Sequence, residues 1–157
     1  MAPRTAPSRR PPPPQPEPGP RHQAREVAVQ VLYALDCGKT WTRESVDESL
    51  RHYWSHMDGP ALGRPYGEAL VFGVLGQRDS LDEAIRAANP NWRLERMARV
   101  DRNVLRVAAW EILHNPEVPS AVAIDEAIEL ARRFGADDAA AFVNGTLDKL
   151  ARQHGKL

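Results

Sequence analysis

The chain has 157 residues, 42% of them hydrophobic and 27% charged, with a formal net charge of zero and one cysteine, Cys37. This length suits one compact domain or two small lobes sharing a core, and a single thiol excludes an internal disulfide and a thiolate zinc cluster. No apolar run approaches the roughly 20 residues that span a bilayer, and the proline-rich start lacks a signal-peptide core, so a cytoplasmic protein with no membrane partner is expected.

Residues 1–20 hold nine of the fourteen prolines, including Pro11 to Pro14. Proline fixes φ and has no amide hydrogen, so helix and sheet are both disfavoured and a disordered arm of polyproline II character is expected. Residues 1–25 carry five arginines (Arg4, Arg9, Arg10, Arg21 and Arg25) against one acid, Glu17, whereas the remainder carries 16 basic and 20 acidic residues. The zero net charge therefore conceals a basic start and a mildly acidic body, which bears on partners more than the sum does.

From Arg21 the pattern turns helical. Ala24, Val27, Ala28, Val31 and Leu35 form one stripe, widened by Leu32, and Gly38 can stop the helix. A second helix is predicted over 42–57, with Val46, Leu50, Tyr53 and Trp54 as its apolar side and Gly59-Pro60 as its end. Residues 66–88 follow, with Ala69, Leu70, Gly73, Val74 and Gln77 in line, a kink near Asp79-Ser80, and Leu81 and Ile85 resuming the stripe. Asn89-Pro90 closes this segment, because the residue before proline avoids the helical region. A short helical piece is predicted over 92–97. A strong helix follows over 100–114, burying Val104, Leu105, Ala108 and Ile112 and closed by Asn115-Pro116.

Residues 118–150 read as two helices broken once. Pro119 and Ser120 supply the entry, with the Ser120 hydroxyl placed to accept from first-turn amides. Ala123, Ala127, Ile128, Ala131 and Phe134 recur at helical spacing. Arg132 and Arg133 suit the carbonyl end of the dipole, and Gly135 is expected to end the helix in a left-handed conformation. Asp137 and Asp138 open the last helix, whose apolar line is Phe142, Val143, Thr146, Leu147 and Leu150. Nothing alternates with the period of a strand. The class is all-α: about seven helices in two packed lobes, 21–90 and 91–157, behind the 1–20 arm.

Four constellations merit a functional reading. Glu48, His52 and His56 share a helix face and could bind a metal, but no further ligand is evident, and a wet helix face is the better account, so no metal and no cofactor are expected. Arg93, Arg96, Arg99, Arg102 and Arg106 recur every three or four residues; with Glu95 and Asp101 interleaved, a solvated face with local ion pairs is slightly favoured over a phosphate-binding ridge. Arg21, His22, Gln23 and Arg25 crowd a helix start, where cations oppose the dipole by ~0.3–1 kcal/mol each. Helix stability does not explain them there, whereas an external anion would. Phe134 and Phe142, near Arg132 and Arg133, are core by default and a base-stacking platform in the functional reading.

The run AIDEAIELARRFGADDAAAFVNGTLDKL, from Ala123 to Leu150, resembles the C-terminal signature of the NusB family of transcription antitermination factors. AREVAVQVLYALD (24–36) and VDRNVLRVAAWEIL (100–113) agree in order and spacing, so the resemblance covers roughly residues 21–152. It implies a two-lobed helical fold and a non-enzymatic adaptor. Such an adaptor would recognise boxA-like single-stranded RNA in ribosomal RNA leaders, together with the ribosomal protein that doubles as NusE, within the RNA polymerase antitermination complex. By that resemblance Arg21 and Arg25 match an arginine-rich RNA-binding segment, with His22 and Gln23 standing where further arginines are common. Part of the Arg132, Arg133, Phe134 and Phe142 corner would be RNA surface. Tyr33, Asp101 and Asp138 would meet the protein partner, Asp138 also serving as a cap or polar contact, and Asn144 would be a buried amide. A purely protein-binding adaptor and a stand-alone relative of the NusB-like domain of RNA cytosine methyltransferases remain as rivals. The latter is disfavoured because the chain, ending at Leu157, holds no cofactor-binding sheet or catalytic cysteine motif. Whether free chains form a homodimer stays open.

Overall fold

The computed structural model describes residues 19–38, 41–56 and 62–157; residues 1–18 of the arm expected over 1–20 and the expected helix end at Gly59-Pro60 lie outside them, and Pro20, expected in the arm, instead opens the first helix. The described residues form seven α-helices and one 3-10 turn, without a strand: α1 Pro20–Gly38, α2 Arg43–Ser55, α3 Arg64–Gly76, α4 Arg78–Ala88, the turn Leu94–Arg96, α5 Arg99–His114, α6 Ser120–Phe134 and α7 Ala139–Gln153. The all-α expectation holds.

Helix α5 is the axle. Residues Asn103 to Ala109 are all buried, and α1, α3, α4, α6 and α7 all pack against it. A helix surrounded in this way must be apolar nearly all round or have internal partners for its polar groups. Here Val104, Leu105, Val107, Ala108, Ala109 and Ile112 supply apolar surface, and Asn103, Arg106 and Glu111 are each bonded to another helix. Helix α4, which precedes Asn89-Pro90, packs on α5 and α7, and one continuous core unites the buried residues on both sides of that dipeptide.

Local chemistry sets the helix ends. Thr42 caps α2 by accepting from the Ser45 amide at 3.2 Å, and proline stands in the first turn of α3, where its missing amide costs nothing. The predicted 66–88 helix is two helices. The break falls at Gln77, two residues before the expected kink, and the Ser80 hydroxyl donates to the Gln77 carbonyl at 3.0 Å. The 92–97 piece contracts to one 3-10 turn.

Three expectations in the last third are corrected. Ser120 is already helical and its hydroxyl makes no capping bond, the cap position being Pro119. Gly135 is extended (φ −96°, ψ −179°), not left-handed. Glycine is required there for closeness: a Cβ would lie 2.7 Å from the Ala131 carbonyl oxygen, 2.8 Å from Ala139 Cβ and 3.1 Å from Asp101 Oδ1. Asn144 is exposed rather than a buried amide, because α7 turns Val143, Thr146 and Leu147 inward instead.

Candidate RNA and partner interface

Helix α1 carries most of the candidate residues, and its neighbours decide what each can do. It runs antiparallel to α5, with Arg25 meeting Glu111 near one end and Asp36 meeting Arg102 near the other. It runs in the same direction as α6, with His22 meeting Glu126 and then Glu26 meeting Arg133.

At the start of α1 the side chains divide. Arg21 is exposed, its guanidinium 4.8 Å from the centre of the Tyr66 ring and 3.5 Å from Glu117. Gln23 is half-buried, and its amide makes no side-chain hydrogen bond among the described residues. His22 is enclosed by carboxylates, with Nε2 3.0 Å from Glu26 and Nδ1 2.6 Å from Glu126. Two acids on one imidazole oppose a phosphate there.

Arg25 departs from the sequence reading. It is 4% exposed, and its Nε and Nη2 donate to Glu111, itself 1% exposed, at 2.8, 3.1 and 2.8 Å. Burial alone would lower the guanidinium pKa, but the hydrogen bonds and charge of Glu111 outweigh it and hold the group above its ordinary value. The Tyr66 hydroxyl donates to the same carboxylate at 2.6 Å; burial first, and Glu111 second, push that phenol up to about 12. Arg25 therefore anchors the fold and presents no donor to a phosphate outside.

The arginine ridge dissolves in the same way. Arg102 clamps Asp36 through two 2.6 Å bonds, and Arg106 grips Asp82 at 2.8 and 3.1 Å inside the core. Asn103 ties the group together, donating to Asp36 at 3.0 Å and accepting from Arg106 at 3.1 Å. Burial would raise the Asp36 carboxyl pKa, but the Arg102 and Asn103 bonds and two arginine charges bring it below the ordinary range. Arg93, Arg96 and Arg99 alone stay outside.

The second expected cluster also separates. Arg132 pairs with Glu129 within α6, and Arg133 reaches Glu26 at 2.7 Å while lying 5.4 Å from the Phe134 ring centre. Phe142 instead stands edge-on to Trp92, with ring centres 5.9 Å apart. It shares a groove of about 170 Å³ with Trp92, Arg96, Met97, Ala98, Asp101 and Asp138. Met97 and Ala98 also line the next groove, where Tyr33 stands 40% exposed beside Arg99 and Arg102. Tyr33, Asp101, Asp138 and Phe142 thus lie along one strip.

One carboxylate in that strip, Asp101, is held against its charge. Asp101 Oδ1 is buried with no hydrogen-bond partner, and burial, then the Asp138 charge, raise the Asp101 pKa. Asp138 stands at the N-cap of α7 but makes no side-chain capping bond. Sequence reasoning passed over Trp92 and Glu111. Glu111 was detectable: a lone acid seven residues after Val104 on an otherwise apolar stripe must find a buried cation.

Among the described residues no group of three histidines, cysteines or acids is placed to hold a metal, and no helix is long and apolar enough to cross a membrane. The exposed features are aromatic rings, amides and charges on rigid helices, as in an all-helical binding protein whose recognition surface spans several helices. The NusB family model matches residues 22–152, and the chain belongs to the NusB family. It is 48% identical over 139 residues to the transcription antitermination protein NusB of Sorangium cellulosum, covering 88% of this chain and 96% of the relative. The NusB protein of Anaeromyxobacter dehalogenans is 46% identical over 132 residues, with 83% of this chain and 89% of the relative covered. The fold is similar to that of T. maritima NusB, with a TM-score of 0.74, 29% identity, and coverage of 86% of this chain and 92% of that one. The NusB fold in a complex of antitermination factors NusB and NusE with double-stranded RNA also superposes, with a TM-score of 0.73, 22% identity, and 85% and 97% coverage.

Proposed function

We propose that this chain is a non-enzymatic transcription antitermination factor that binds boxA-like single-stranded RNA of ribosomal RNA leaders jointly with the NusE ribosomal protein, and so joins the antitermination complex of RNA polymerase. Relatives matched over about nine-tenths of their own length bear the antitermination name, which favours this reading over a methyltransferase-associated domain. The observation that carries it is the continuous strip from Tyr33 through Asp101 and Asp138 to Phe142, which lets one ligand touch the next. Arg21, Gln23 and Phe142 face RNA; Tyr33, Asp101 and Asp138 face the protein. Arg25 supports the helix from within, His22 and Arg133 act through ion pairs at the α1–α6 seam, Arg132 pairs within α6, and Phe134 packs against the core.

The start of α1 offers a single exposed arginine, so RNA affinity of the isolated chain is weak. A protein touching both this chain and the RNA raises it without a new contact from this chain, and linkage makes the effect reciprocal. The test is a four-sided titration of chain, RNA and NusE protein, with wild type and Asp101→Lys. NusE should tighten RNA binding, and RNA should tighten NusE binding by the same factor. Asp101→Lys should weaken the protein step and leave direct RNA binding intact. Equal RNA affinity with and without saturating NusE removes the joint-binding reading and leaves the protein-only adaptor, which the carboxylates around His22 favour.

A further inference from the structure

Trp92 is a costly residue to leave in water. Its indole is 54% exposed at the turn between α4 and α5, on neither buried face. Phe142 stands edge-on to it, with an interplanar angle of 71°. This arrangement restrains the indole and leaves ring surface uncovered, so a stacking partner would order little on arrival. On one side lies the groove with Asp101 and Asp138. On the other is a groove of about 200 Å³ with a floor of small residues, Ala141 and Gly145, and Lys149 at its edge. The Asn89 amide donates to Thr146 at 3.1 Å and fixes the wall between α4 and α7.

Among the described residues two neighbouring exposed cations are occupied, and two, Arg96 and Lys149, are not. Arg86 pairs with Glu95 and Arg152 with Asp148, whereas Lys149 has no ion pair among the described residues. We propose that Trp92, braced by Phe142 and flanked by Lys149, is a base-stacking station for single-stranded RNA. The inference rests on the RNA reading above and extends it to residues with no part in it. The groove on one side sets two carboxylates against one arginine, Arg96, whereas the other holds Lys149 and no acid, so the backbone runs along the Lys149 side while a base lies against the indole. A protein occupant fits less well. Of the large exposed hydrophobic side chains among the described residues, only Trp92 stands at this corner, a small anchor for an interface that in stable complexes buries ~800 Å² per partner. A rigid ring beside an unpaired cation suits a nucleotide.

Residues Arg21 and Tyr33 are twelve positions apart on α1, about 18 Å along its axis, and the groove at Tyr33 shares Met97 and Ala98 with the groove at Trp92. A strand touching both Arg21 and Trp92 therefore passes the strip assigned to the protein partner.

The test titrates a fluorescein-labelled single-stranded leader RNA against the full chain, with and without NusE, using wild type, Trp92→Ala, Trp92→Phe, Lys149→Ala and Arg21→Ala. Loss of one stacked base corresponds to about 5- to 150-fold weaker binding for Trp92→Ala, and Trp92→Phe should keep most of the affinity. Lys149→Ala should reduce the slope of log affinity against log salt by about 0.7. RNA should quench tryptophan fluorescence in wild type and much less in Trp92→Phe. Since Trp92 is half-exposed, the melting midpoint of Trp92→Ala should stay close to wild type. Unchanged RNA affinity in Trp92→Ala, with Arg21→Ala weakened, overturns the station and leaves the RNA reading standing. A Trp92→Ala defect confined to NusE binding makes this corner a protein surface and also overturns it. No RNA binding by wild type, alone or with NusE, defeats both.

Discussion

Substituting Arg25 separates a structural arginine from a phosphate ligand. Arg25→Ala removes three hydrogen bonds from Glu111 and leaves a carboxylate that is 1% exposed. Breaking a buried pair by deleting one partner costs about 3–5 kcal/mol, because the remaining charge stays desolvated. Tyr66 still donates to Glu111 at 2.6 Å, which places the expected loss near the lower limit, about 3 kcal/mol. For a domain of this size each kcal/mol moves the melting midpoint by roughly 2–4 °C, so a fall of about 6–12 °C is expected. Replacing both partners, Arg25→Met with Glu111→Leu, should recover most of it, since no lone charge then remains. The assay is thermal denaturation by circular dichroism, paired with RNA titration well below every midpoint. A midpoint within about 2 °C of wild type, together with a large loss of RNA affinity and of salt slope, would refute the argument and return Arg25 to the RNA surface.

Gly135→Ala should destabilise by about 1–3 kcal/mol, since the new methyl meets a carbonyl oxygen at 2.7 Å and Ala139 at 2.8 Å; a melt reads this directly, and an unchanged midpoint denies the close approach. Asp36 and Asp101 should respond to pH with opposite signs. The Asp36 pKa is lowered on folding, so its contribution is present above the unfolded value of ~3.9 and is lost as pH falls through the folded value. Asp36→Asn should therefore lower the midpoint at pH 7, and the difference should shrink on acidification. The Asp101 pKa is raised, so its contribution is present below ~3.9 and lost as pH rises through the folded value. Asp101→Asn should raise the midpoint at pH 7 and change little near pH 3; a fall at pH 7 would mean that the carboxylate has a partner.

The helices were legible because burial repeats. Val27, Val31, Leu50, Leu70, Leu105, Leu147 and Leu150 all lie where the 3.6-residue period puts them, in the core. What the period cannot carry is the identity of the partner across the core. Arg25 and Glu111 are 86 positions apart and Arg106 and Asp82 24, so each arginine reads locally as a surface cation until the packing brings its acid to it. The same limit governs the corner: Phe142 is eight residues from Phe134, yet α7 turns it towards Trp92 and the end of α4. Gly135 failed for a different reason. A helix-terminal glycine usually signals a positive φ, and here the absence of a side chain serves contact with α5 and α7 instead.

The ion pairs also explain why a chain with many arginines exposes few of them to a ligand. Arg25 fastens α1 to α5 near its start, Arg102 and Arg106 fasten its end to α5 and α4, and Arg133 ties its side to α6. Together these bonds fix where Arg21 and Tyr33 stand relative to Asp101 and Phe142, and each occupies a cation with an acid of this chain. Residues 26–157 hold 16 basic against 20 acidic side chains, so the body as a whole does not attract a polyanion. Attraction must then be local, at exposed cations: Arg21 at the start of α1, whose carboxylate neighbour Glu117 is itself exposed, and Arg96 and Lys149 beside Trp92, which have no ion pair among the described residues. Binding shared between a few separated contacts is weak contact by contact and strong when a second protein holds the strand across them. A rigid, charge-balanced scaffold with sparse contact points thus suits the proposed joint binding, in which a protein partner strengthens a weak RNA contact.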